Sequence, residues 1–448
     1  MSDRDRQRAD AVYDALLARA GEAWVQPRME RTGRLLELLG DPQRSYRVIH
    51  ITGTNGKTST SRMIESLLRA HELRTGLFTS PHLERFTERI QIDGEPIADG
   101  AIADAWDDMA PLLKFADAEL VEAGQEPLTF FEVLTALAFV ACADAPVDVL
   151  VLEVGMGGEW DSTNAADGDV AVFTPIDLDH TDRLGETIAE IARVQAGTIT
   201  TDAAVVSARQ PEAAAVVLRE RAAERGATIA FEGSEFAVES SVLAVGGQMV
   251  TVRGLAATYR DEYLPQYGRH QADNAALAIA AVESFIGGGT QAIAGDILAE
   301  GLATATSPGR LQLVGIAPTV IVDAAHNPHG ARALATALGE FFDFDEWALV
   351  LGVLGDKDAE GIIDALAPVV TRVFTTQPES PRASDAEALA DLVELRGLVV
   401  SAHPASDDAM DTARRWAAEG DRRAVLIAGS VVLAGEAIAY AESEGWKA

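Results

Sequence analysis

Short apolar runs alternate with segments of helical periodicity along most of the chain, and this pattern predicts an α/β protein. The strongest runs are apolar on both faces, as the central strands of a parallel sheet are. Helical segments separate them, so the connections are those of a doubly wound parallel sheet. The predicted strands fall at residues 48–52, 75–79, 148–155, 170–175, 203–207, 320–323, 348–352, 373–376 and 424–428.

A change in this pattern divides the chain into two predicted domains. Residues 229–259 contain short β stretches around Gly246-Gly247, which favour antiparallel hairpins, and helices return afterwards. The sequence Thr306-Ser307-Pro308-Gly309 is a natural break. We therefore predict a P-loop domain with a mostly parallel sheet over residues 1–305, followed by a smaller Rossmann-like α/β domain over residues 308–448.

Two further local predictions concern the first of these domains. The spacing of leucines predicts helix over residues 8–40, ended by Gly40-Asp41-Pro42. Alternating polar and apolar residues predict an edge strand over residues 88–94, which turns at Asp93-Gly94.

Charge and composition narrow the class of partner. The chain has 36 basic and 70 acidic residues and a net charge of −34, which argues against nucleic acid and anionic membranes as partners. Its one cysteine, Cys142, excludes a disulfide framework and a cysteine zinc site. The N-terminus is charged, and no apolar run reaches the length of about 18 residues that a membrane span needs. We expect a cytoplasmic monomer that acts on small molecules.

The segment from residue 48 to residue 58 has the pattern of a strand that leads into a phosphate-binding loop. In Gly53-Thr54-Asn55-Gly56 the glycines permit a tight turn whose amides point at one anion. A helix over residues 57–70 would aim its N-terminus at the same place. Lys57 can then reach terminal phosphates and the Thr58 hydroxyl can ligate Mg²⁺. The alternative is a simple turn with an incidental lysine, but the chain has only four lysines among 448 residues, which favours the functional interpretation.

Polar residues at the carboxyl ends of two predicted strands are further candidates, because ligands bind at that edge of a parallel sheet. Glu153 ends one such strand, and its carboxylate suits Mg²⁺. The alternative is a buried glutamate satisfied by backbone amides. Asp179 and His180 follow the strand at residues 170–175, where His180 can ligate a second metal and Asp179 can orient it, unless the pair is structural.

Three strand-end loops of the second predicted domain carry polar groups as well. They are Pro308-Gly309-Arg310, Asp323-Ala324-Ala325-His326-Asn327 and residues 352–358. Arg310 suits a γ-phosphate whose charge develops during transfer, and Asp323 suits a ribose or an amino group. Taken alone, each of these three sequences is that of a common loop.

Taken together, the motifs resemble those of bacterial folylpolyglutamate synthase/dihydrofolate synthase, in the Mur ligase superfamily. The resemblance covers nearly the whole chain. The motifs are Gly53-Thr54-Asn55-Gly56-Lys57, Thr79-Ser80-Pro81-His82-Leu83, Thr129-Phe130-Phe131-Glu132, Glu153-Val154-Gly155-Met156-Gly157-Gly158, Asp161-Ser162-Thr163-Asn164, Asp179-His180, His270-Gln271, Asn274-Ala275-Ala276, Pro308-Gly309-Arg310, Asp323-Ala324-Ala325-His326-Asn327-Pro328 and Gly355-Asp356-Lys357-Asp358.

The resemblance implies an ATP-dependent ligase. ATP would phosphorylate the carboxylate of dihydropteroate or a folate, and the amine of L-glutamate would displace the phosphate. The phosphate loop with Lys57 would hold ATP, Glu153 and His180 would bind Mg²⁺, and Asn274 would lie beside the adenine.

The resemblance also implies roles for the remaining candidates. Arg310 and Asp323 would contact the nucleotide, and His326 would serve glutamate and nucleotide. Two segments would line the pterin side, namely Thr79-Ser80-Pro81-His82 and Asp161-Ser162-Thr163-Asn164.

Two positions depart from the family pattern. Glu159 stands where the family often has arginine, and Gln195 stands where it has a lysine that is usually carbamylated and serves a metal. Gln195 cannot carry a carbamate, so we expect the second Mg²⁺, near His180, to bind more weakly. Besides the folate ligase, two hypotheses remain open: a Mur-type ligase for another carboxylate, and a nucleotide-binding homologue with impaired ligase activity.

Overall fold

The computed structural model describes residues 3–21 and 28–446. The strands are β1 (Arg47–Thr52), β2 (Thr75–Phe78), β3 (Ile90–Ile92), β4 (Glu95–Pro96), β5 (Val149–Glu153), β6 (Val170–Phe173), β7 (Ala204–Ser207), β8 (Thr228–Phe231), β9 (Ala237–Ala244), β10 (Gly247–Arg253), β11 (Thr258–Leu264), β12 (Gln312–Ile316), β13 (Thr319–Val322), β14 (Glu346–Leu351), β15 (Arg372–Thr376), β16 (Val399–His403) and β17 (Arg423–Ala428).

The helices alternate with these strands along the chain. They are α1 (Asp3–Leu17), α2 (Met29–Leu38), α3 (Lys57–Ala70), α4 (Asp99–Glu122), α5 (Phe130–Asp144), α6 (Thr181–Leu184), α7 (Ile188–Gln195), α8 (Glu212–Arg225), α9 (Arg269–Gly287), α10 (Gly295–Thr304), α11 (Pro328–Phe341), α12 (Ala359–Leu366), α13 (Ala386–Glu394), α14 (Ser406–Ala418) and α15 (Val431–Ser443). None of the helices in the described part of the chain combines the length and apolarity that crossing a membrane requires.

The chain forms two compact units. The first comprises Met1–Ser240, Val250–Tyr263 and Asp273–Ala305, and the second comprises Ser241–Met249, Leu264–Ala272 and Thr306–Ala448. Neither unit is one continuous segment. The sequence-based boundary at residues 305–308 remains a prediction.

The first unit is built on an eight-stranded sheet with the order β4-β3-β2-β5-β1-β6-β7-β8. The pairs β2–β5, β5–β1, β1–β6, β6–β7 and β7–β8 are parallel, whereas β3 runs antiparallel to β2. Strand β1 is central, and every residue of β5 is buried, which explains the continuous apolar runs in the sequence. The phosphate loop therefore starts from the middle of the sheet, where two neighbouring strands fix its position.

Helices cover this sheet with two apolar clusters. One contains side chains of α1, α2, α4 and α5, and the other contains side chains of α7 and α8. The start of α5 is fixed by a capping box, because the Thr129 side chain accepts from the Glu132 amide while the Glu132 carboxylate accepts from the Thr129 amide.

The second unit contains a six-stranded sheet with the order β12-β13-β17-β14-β15-β16. Strand β12 is antiparallel to β13, and the other pairs are parallel. The predicted α/β class and its mostly parallel sheets are thus confirmed. A separate three-stranded sheet has the order β11-β10-β9.

Several local predictions were wrong. The predicted helix 8–40 is two helices, since α1 ends at Leu17 and α2 begins at Met29; residues 22–27 of the predicted helix lie outside the described residues. Residues 86–89 form a 3₁₀ helix, and β3 is covered by β4 rather than lying at the edge. Strand β8 belongs to the parallel sheet and not to a hairpin. Strands β12 and β16 and helix α15 were not predicted.

Candidate functional site

The phosphate loop, residues 53–58, needs glycine at two positions. Gly53 has φ +134 and Gly56 has φ +88, both in the region that side chains disfavour. A Cβ at residue 53 would collide with the side chain of Thr174, and one at residue 56 would lie 2.7 Å from Oδ1 of Asn274. Asn274 is therefore packed directly against the phosphate loop.

Lys57 bends back over the phosphate loop. Its Nζ donates to the carbonyl oxygens of Gly53, at 3.0 Å, and Thr54, at 3.1 Å. Lys57 is also the first residue of the 14-residue helix α3, so its ammonium group and the N-terminal amides of that helix belong to one positive region. This arrangement suits an anion with several oxygens.

The phosphate loop is also tied to the segment that follows β6. The Thr54 amide donates to the carbonyl oxygen of Pro175 at 3.0 Å. The Thr54 hydroxyl donates to the carbonyl oxygen of Asp177 and accepts from the Asp177 amide, both at 3.0 Å. These bonds bring residues 175–177 to the phosphate loop.

Glu153 and Thr58 meet at the carboxyl end of β5. The Thr58 hydroxyl lies 3.0 and 3.1 Å from the two carboxylate oxygens of Glu153, which is only 1% exposed. Strand β1 pairs with β5 so that Ile51 lies opposite Glu153, next to the start of the phosphate loop. A hydroxyl and a carboxylate in contact are the kinds of oxygen ligand that Mg²⁺ uses.

His180 has an unusual backbone conformation. Its φ is 49, in the left-handed region, and its amide donates to the Asp179 carboxylate at 2.9 Å. The Nε2 of His180 lies 3.9 Å from Oδ1 of Asp179, and an orienting role for Asp179 stays a prediction. Within residues 3–21 and 28–446, no three His, Cys, Asp or Glu side chains form a metal centre by themselves.

Residues 155–164, which we call the substrate loop, follow β5. Asp161 organises this loop: one carboxylate oxygen accepts from the Met156 amide at 2.9 Å, and the other accepts from the Thr163 amide at 3.0 Å and the Thr163 hydroxyl at 2.6 Å. Burial raises the pKa of Asp161, against the opposing effect of these bonds. The Ser162 hydroxyl lies 2.8 Å from the Thr135 hydroxyl, and the Asn164 side-chain amide donates to the carbonyl oxygen of Glu159 at 3.2 Å.

The segment of residues 79–82 follows β2. The Thr79 amide donates to the carbonyl oxygen of Arg89 at 3.0 Å, and the peptide bond between Ser80 and Pro81 is cis. The Nδ1 of His82 accepts from Nε of Arg89 at 2.8 Å. Burial and the Arg89 charge lower the pKa of His82 to about 4, so its ring is neutral at pH 7 and Nδ1 is the unprotonated nitrogen.

In the second unit, Asp323 connects the predicted arginine turn to the end of β13. Its two oxygens accept from the amides of Leu311, at 2.9 Å, and Ala325, at 2.8 Å. Leu311 has φ 44, a conformation disfavoured for leucine that these contacts hold in place. Burial raises the pKa of Asp323, although the neighbouring Arg310 charge acts in the opposite direction.

His326 and two further strand ends lie beside this turn. The Nδ1 of His326 is 3.0 Å from the carbonyl oxygen of Ala324 and must donate to it. The amide of Gly429, after β17, donates to the carbonyl oxygen of Ala325 at 3.0 Å, and a Cβ at residue 429 would lie 2.7 Å from the carbonyl oxygen of Gly352, after β14. The ends of β13, β17 and β14 therefore converge.

Two residues at this place were missed as functional candidates. Ser430 follows β17, is buried, and caps α15 by accepting from the Leu433 amide at 3.1 Å; its position after a strand was the available signal. His270 was noted only as part of a motif. Burial, Arg310 and His329 lower the pKa of His270 to about 4, so it adds a neutral imidazole beside a guanidinium group.

Comparison with known proteins gives the family. A family model described as the Mur ligase middle domain matches residues 51–282, and one described as the Mur ligase glutamate ligase domain matches residues 309–431. The first match alone covers more than half of the chain. The fold and these matches define the class as a Mur ligase.

Individual relatives narrow the class. A dihydrofolate synthase/folylpolyglutamate synthase from Mycobacterium tuberculosis is 46% identical over 439 residues, which cover 93% of this chain and 90% of the relative. One from Bacillus subtilis is 34% identical, covering 91% and 93%. The chain therefore belongs to the dihydrofolate synthase/folylpolyglutamate synthase family, and the resemblance inferred from its motifs is confirmed.

Solved structures agree with this assignment. The Mycobacterium tuberculosis folylpolyglutamate synthase complexed with ADP has a TM-score of 0.93 and 45% identity, covering 98% of this chain and 99% of that one. The Escherichia coli FolC in complex with DHPP and ADP has a TM-score of 0.81 and 30% identity, covering 93% of both chains.

Proposed function

We propose that the protein is an ATP-dependent ligase that joins L-glutamate to the carboxylate of dihydropteroate, of a folate, or of both. The observation that carries this proposal is the phosphate loop, in which Lys57 and the start of α3 form an anion site beside the pair of Thr58 and Glu153. The family and the relatives that bind ADP support the same activity.

We assign the nucleotide phosphates to the phosphate loop. Lys57 would exchange its bonds to two loop carbonyls for bonds to phosphate oxygens, which are negatively charged and therefore attract an ammonium group more strongly than neutral carbonyl oxygens do. Asn274, which packs against Gly56, would approach the nucleotide from the other side of the loop. The amides at the start of α3 complete the cradle.

The residues at the end of β5 fit a magnesium ion. Thr58 and Glu153 already place a hydroxyl and a carboxylate together, and Gln195 has a buried Oε1 that lacks a hydrogen-bond partner among the described residues. His180 adds an imidazole after β6. Bound Mg²⁺ would offset the negative charge of the phosphates and polarise the transferred group.

In the second unit, we assign the transferred phosphoryl group to Arg310. A guanidinium group is always charged and its planar donors match phosphate oxygens. Asp323 fixes the turn that carries Arg310 and keeps lone pairs for a ribose hydroxyl or an amino group. The donation from Nδ1 of His326 to the carbonyl oxygen of Ala324 orients the ring, and we assign this residue to glutamate or the nucleotide.

Dihydropteroate or folate would be recognised by residues 79–82 and by the substrate loop. The four side chains of residues 161–164 are hydrogen-bonded within the protein. They would therefore act through their remaining lone pairs and through the shape that they give the loop. The relative solved with both DHPP and ADP supports a pterin substrate.

These groups support a reaction in two steps. A carboxylate is a poor acyl donor, so the γ-phosphoryl group of ATP is first transferred to it, which gives an acyl phosphate and ADP. The amine of L-glutamate then attacks the acyl carbon and phosphate leaves with the bonding electron pair. Lys57 would stabilise the charge that develops on the phosphoryl oxygens in the first step.

The decisive experiment measures ADP release by the purified protein with ATP, L-glutamate and dihydropteroate, and with each omitted in turn. We expect release only in the complete mixture, and a product heavier by one glutamyl residue by mass spectrometry. Tetrahydrofolate in place of dihydropteroate shows whether the second folate step is also performed. Glutamyl addition to a muropeptide precursor, with none to pteroate or folate, would instead identify a Mur-type ligase for another carboxylate.

The remaining expectations are part of the same proposal. The net charge of −34 supports small-molecule substrates rather than nucleic acid or anionic membranes as partners. A cytoplasmic monomer, with an ATP-binding domain over residues 1–305 and a glutamate ligase domain over residues 308–448, remains our prediction.

A further inference from the structure

Strand β1 carries two buried polar side chains among buried apolar ones. His50 and Thr52 are 0% and 1% exposed, and they alternate with the apolar residues Ile49 and Ile51. Because successive side chains of a strand point to opposite faces, His50 and Thr52 lie on the same face of β1. Buried polar groups are costly unless they are hydrogen-bonded, so the partners of these two side chains are informative.

Both side chains bind the substrate loop. The Thr52 hydroxyl donates to the carbonyl oxygen of Gly157 at 2.8 Å. The Nε2 of His50 lies 3.0 Å from the hydroxyl oxygen of Thr163. The two contacts are near opposite ends of the loop, which therefore follows β1 along its polar face.

The donor in the bond between His50 and Thr163 can be deduced from the bond between Thr163 and Asp161. The one hydroxyl proton of Thr163 is donated to Asp161, at 2.6 Å, so Nε2 of His50 must be the donor to Thr163. Burial lowers the pKa of His50 to about 3, which keeps the ring neutral and leaves Nδ1 without a proton. Nδ1 is buried and has no hydrogen-bond partner among the described residues. The chain of donors thus runs from His50 through Thr163 to Asp161, whose other oxygen accepts from the Met156 amide.

We propose that His50 and Thr52 are positioning residues that hold the substrate loop in register with the phosphate loop. Strand β1 ends at Thr52 and the phosphate loop begins at Gly53, so the same strand fixes both loops. A substrate loop that is already held in place loses less conformational freedom when a substrate binds, so its release should weaken the binding of that substrate. This inference rests on the proposed function for its kinetic consequence, but not for its structural one.

Hydrogen exchange of the ligand-free protein tests the structural consequence. In the substrate loop, the amides of Met156, Glu159, Asp161 and Thr163 are all hydrogen-bonded. Loss of one anchoring bond should make exchange in residues 155–164 about tenfold faster, the effect of one hydrogen bond. His50→Leu removes the donor, whereas His50→Gln keeps an N–H donor at a similar reach. Thr163→Val removes the acceptor of the His50 bond, and with it the bond to Asp161, with almost no change in shape. It therefore also releases the loop from His50 if His50→Leu fails to fold.

Steady-state kinetics test the functional consequence. We expect His50→Leu and Thr52→Val to raise KM for dihydropteroate about tenfold, the effect of one lost hydrogen bond, with KM for ATP within about twofold of the wild type. Thr163→Val loses its bonds to both His50 and Asp161 and should raise KM for dihydropteroate at least as much. His50→Gln, Thr52→Ser and Thr163→Ser should remain close to the wild type. General destabilisation would not raise KM for dihydropteroate alone. It would also not spare the variants that keep the hydrogen-bonding group.

Thr375→Val is a matched control, because the buried Thr375 hydroxyl also donates to a backbone carbonyl, that of Ala386, at 2.7 Å in the second unit. It should lower the unfolding temperature like Thr52→Val but leave exchange in residues 155–164 and KM for dihydropteroate unchanged. Equal loop exchange in His50→Leu and His50→Gln would overturn the proposal, as would equal changes in both KM values. If loop exchange changes as expected but the wild type uses neither dihydropteroate nor a folate, the proposed function fails while the positioning role stands.

Discussion

The phosphate loop and the substrate loop lie at the ends of neighbouring strands, β1 and β5, but they use their polar groups differently. The Nζ of Lys57 in the phosphate loop donates to two carbonyl oxygens of its own loop, and residues 54–58 are partly exposed. In the substrate loop, Asp161, Ser162 and Thr163 are buried and bonded to one another, to backbone amides or to neighbouring side chains.

This difference separates groups that act on a ligand from groups that shape a surface. A lysine can exchange carbonyl partners for phosphate oxygens at little cost, because both are hydrogen-bond acceptors. A buried carboxylate that accepts three bonds cannot change partners without leaving donors unsatisfied. We therefore expect substitutions in the phosphate loop to affect mainly activity, and substitutions in the substrate loop to affect stability as well.

Lys57→Ala should have the largest effect. Loss of a charged donor to the transferred phosphoryl group lowers kcat by about three orders of magnitude in comparable sites. The free energy of unfolding should change by only about 0.5 kcal/mol, as for most partly exposed side chains. Steady-state kinetics and urea denaturation give the two values. Lys114→Ala, at an exposed position of α4, makes the same chemical change and should alter neither. Near-normal turnover of Lys57→Ala would show that the phosphate loop is wrongly assigned.

Asp161→Asn should reduce the stability of the fold more than Lys57→Ala does. The amide offers one acceptor oxygen where the carboxylate accepts three bonds, and its N–H groups would face another donor. We expect the free energy of unfolding to fall by about 2 kcal/mol, the cost of unsatisfied buried donors. Urea denaturation measures this value, and a loss no larger than that of Lys57→Ala would remove the distinction between the two loops.

The stability of the substrate loop should also depend on pH through His50. An unfolded chain protonates this histidine below its usual pKa of about 6.5, whereas the folded chain does not until about pH 3. The folded state should therefore lose stability as the pH falls from 6.5 towards 3, by at most about 1.4 kcal/mol per pH unit. The difference in unfolding free energy between the wild type and His50→Gln, measured from pH 7.5 to pH 5, isolates this contribution. A difference that does not change with pH would contradict it.

The sequence predicted the groups of the phosphate loop better than those of the substrate loop, for a physical reason. Gly53, Gly56 and Lys57 are adjacent in sequence, so their spacing alone defines a site, and helix α3 begins and ends as predicted. The bonds of His50 to Thr163 and of Thr52 to Gly157 join residues that are more than 100 positions apart. No local pattern indicates such a pairing, so the sequence alone assigns no role to His50.

The fold was predicted for similar reasons. Strands β5 and β17 are continuous apolar runs, and the predicted α/β class and the family are confirmed. Strand β16 has a partly exposed, weakly patterned sequence, and β12 contains the irregularity between Leu313 and Gly315, so neither gave a clear signal. The roles of individual site residues remain predictions, because a motif specifies which residues are present but not which of them contact a ligand.

The smallest effect that we expect is that of a substitution at Gln195. It tests whether this residue acts on a ligand or only shapes the site. Gln195 ends α7, is 2% exposed, and its Oε1 lacks a hydrogen-bond partner among the described residues. A neutral amide oxygen attracts a hard cation less than a charged carbamate does. We therefore expect Mg²⁺ near His180 to bind weakly in the wild type, and catalysis to be indifferent to bicarbonate.

Gln195→Lys should strengthen that site when CO₂ is present, because a carbamylated lysine restores a charged oxygen ligand. We expect the Mg²⁺ concentration for half-maximal rate to fall about fivefold, equivalent to about 1 kcal/mol, the order of a single charge interaction in a protein. Mg²⁺ titrations of both proteins, with and without bicarbonate, measure this change. A bicarbonate effect confined to the lysine variant would show that residue 195 faces the metal. Identical curves would mean that another residue already supplies the charge or that one metal suffices, and Gln195 would then belong with Asp161 among the residues that shape the site.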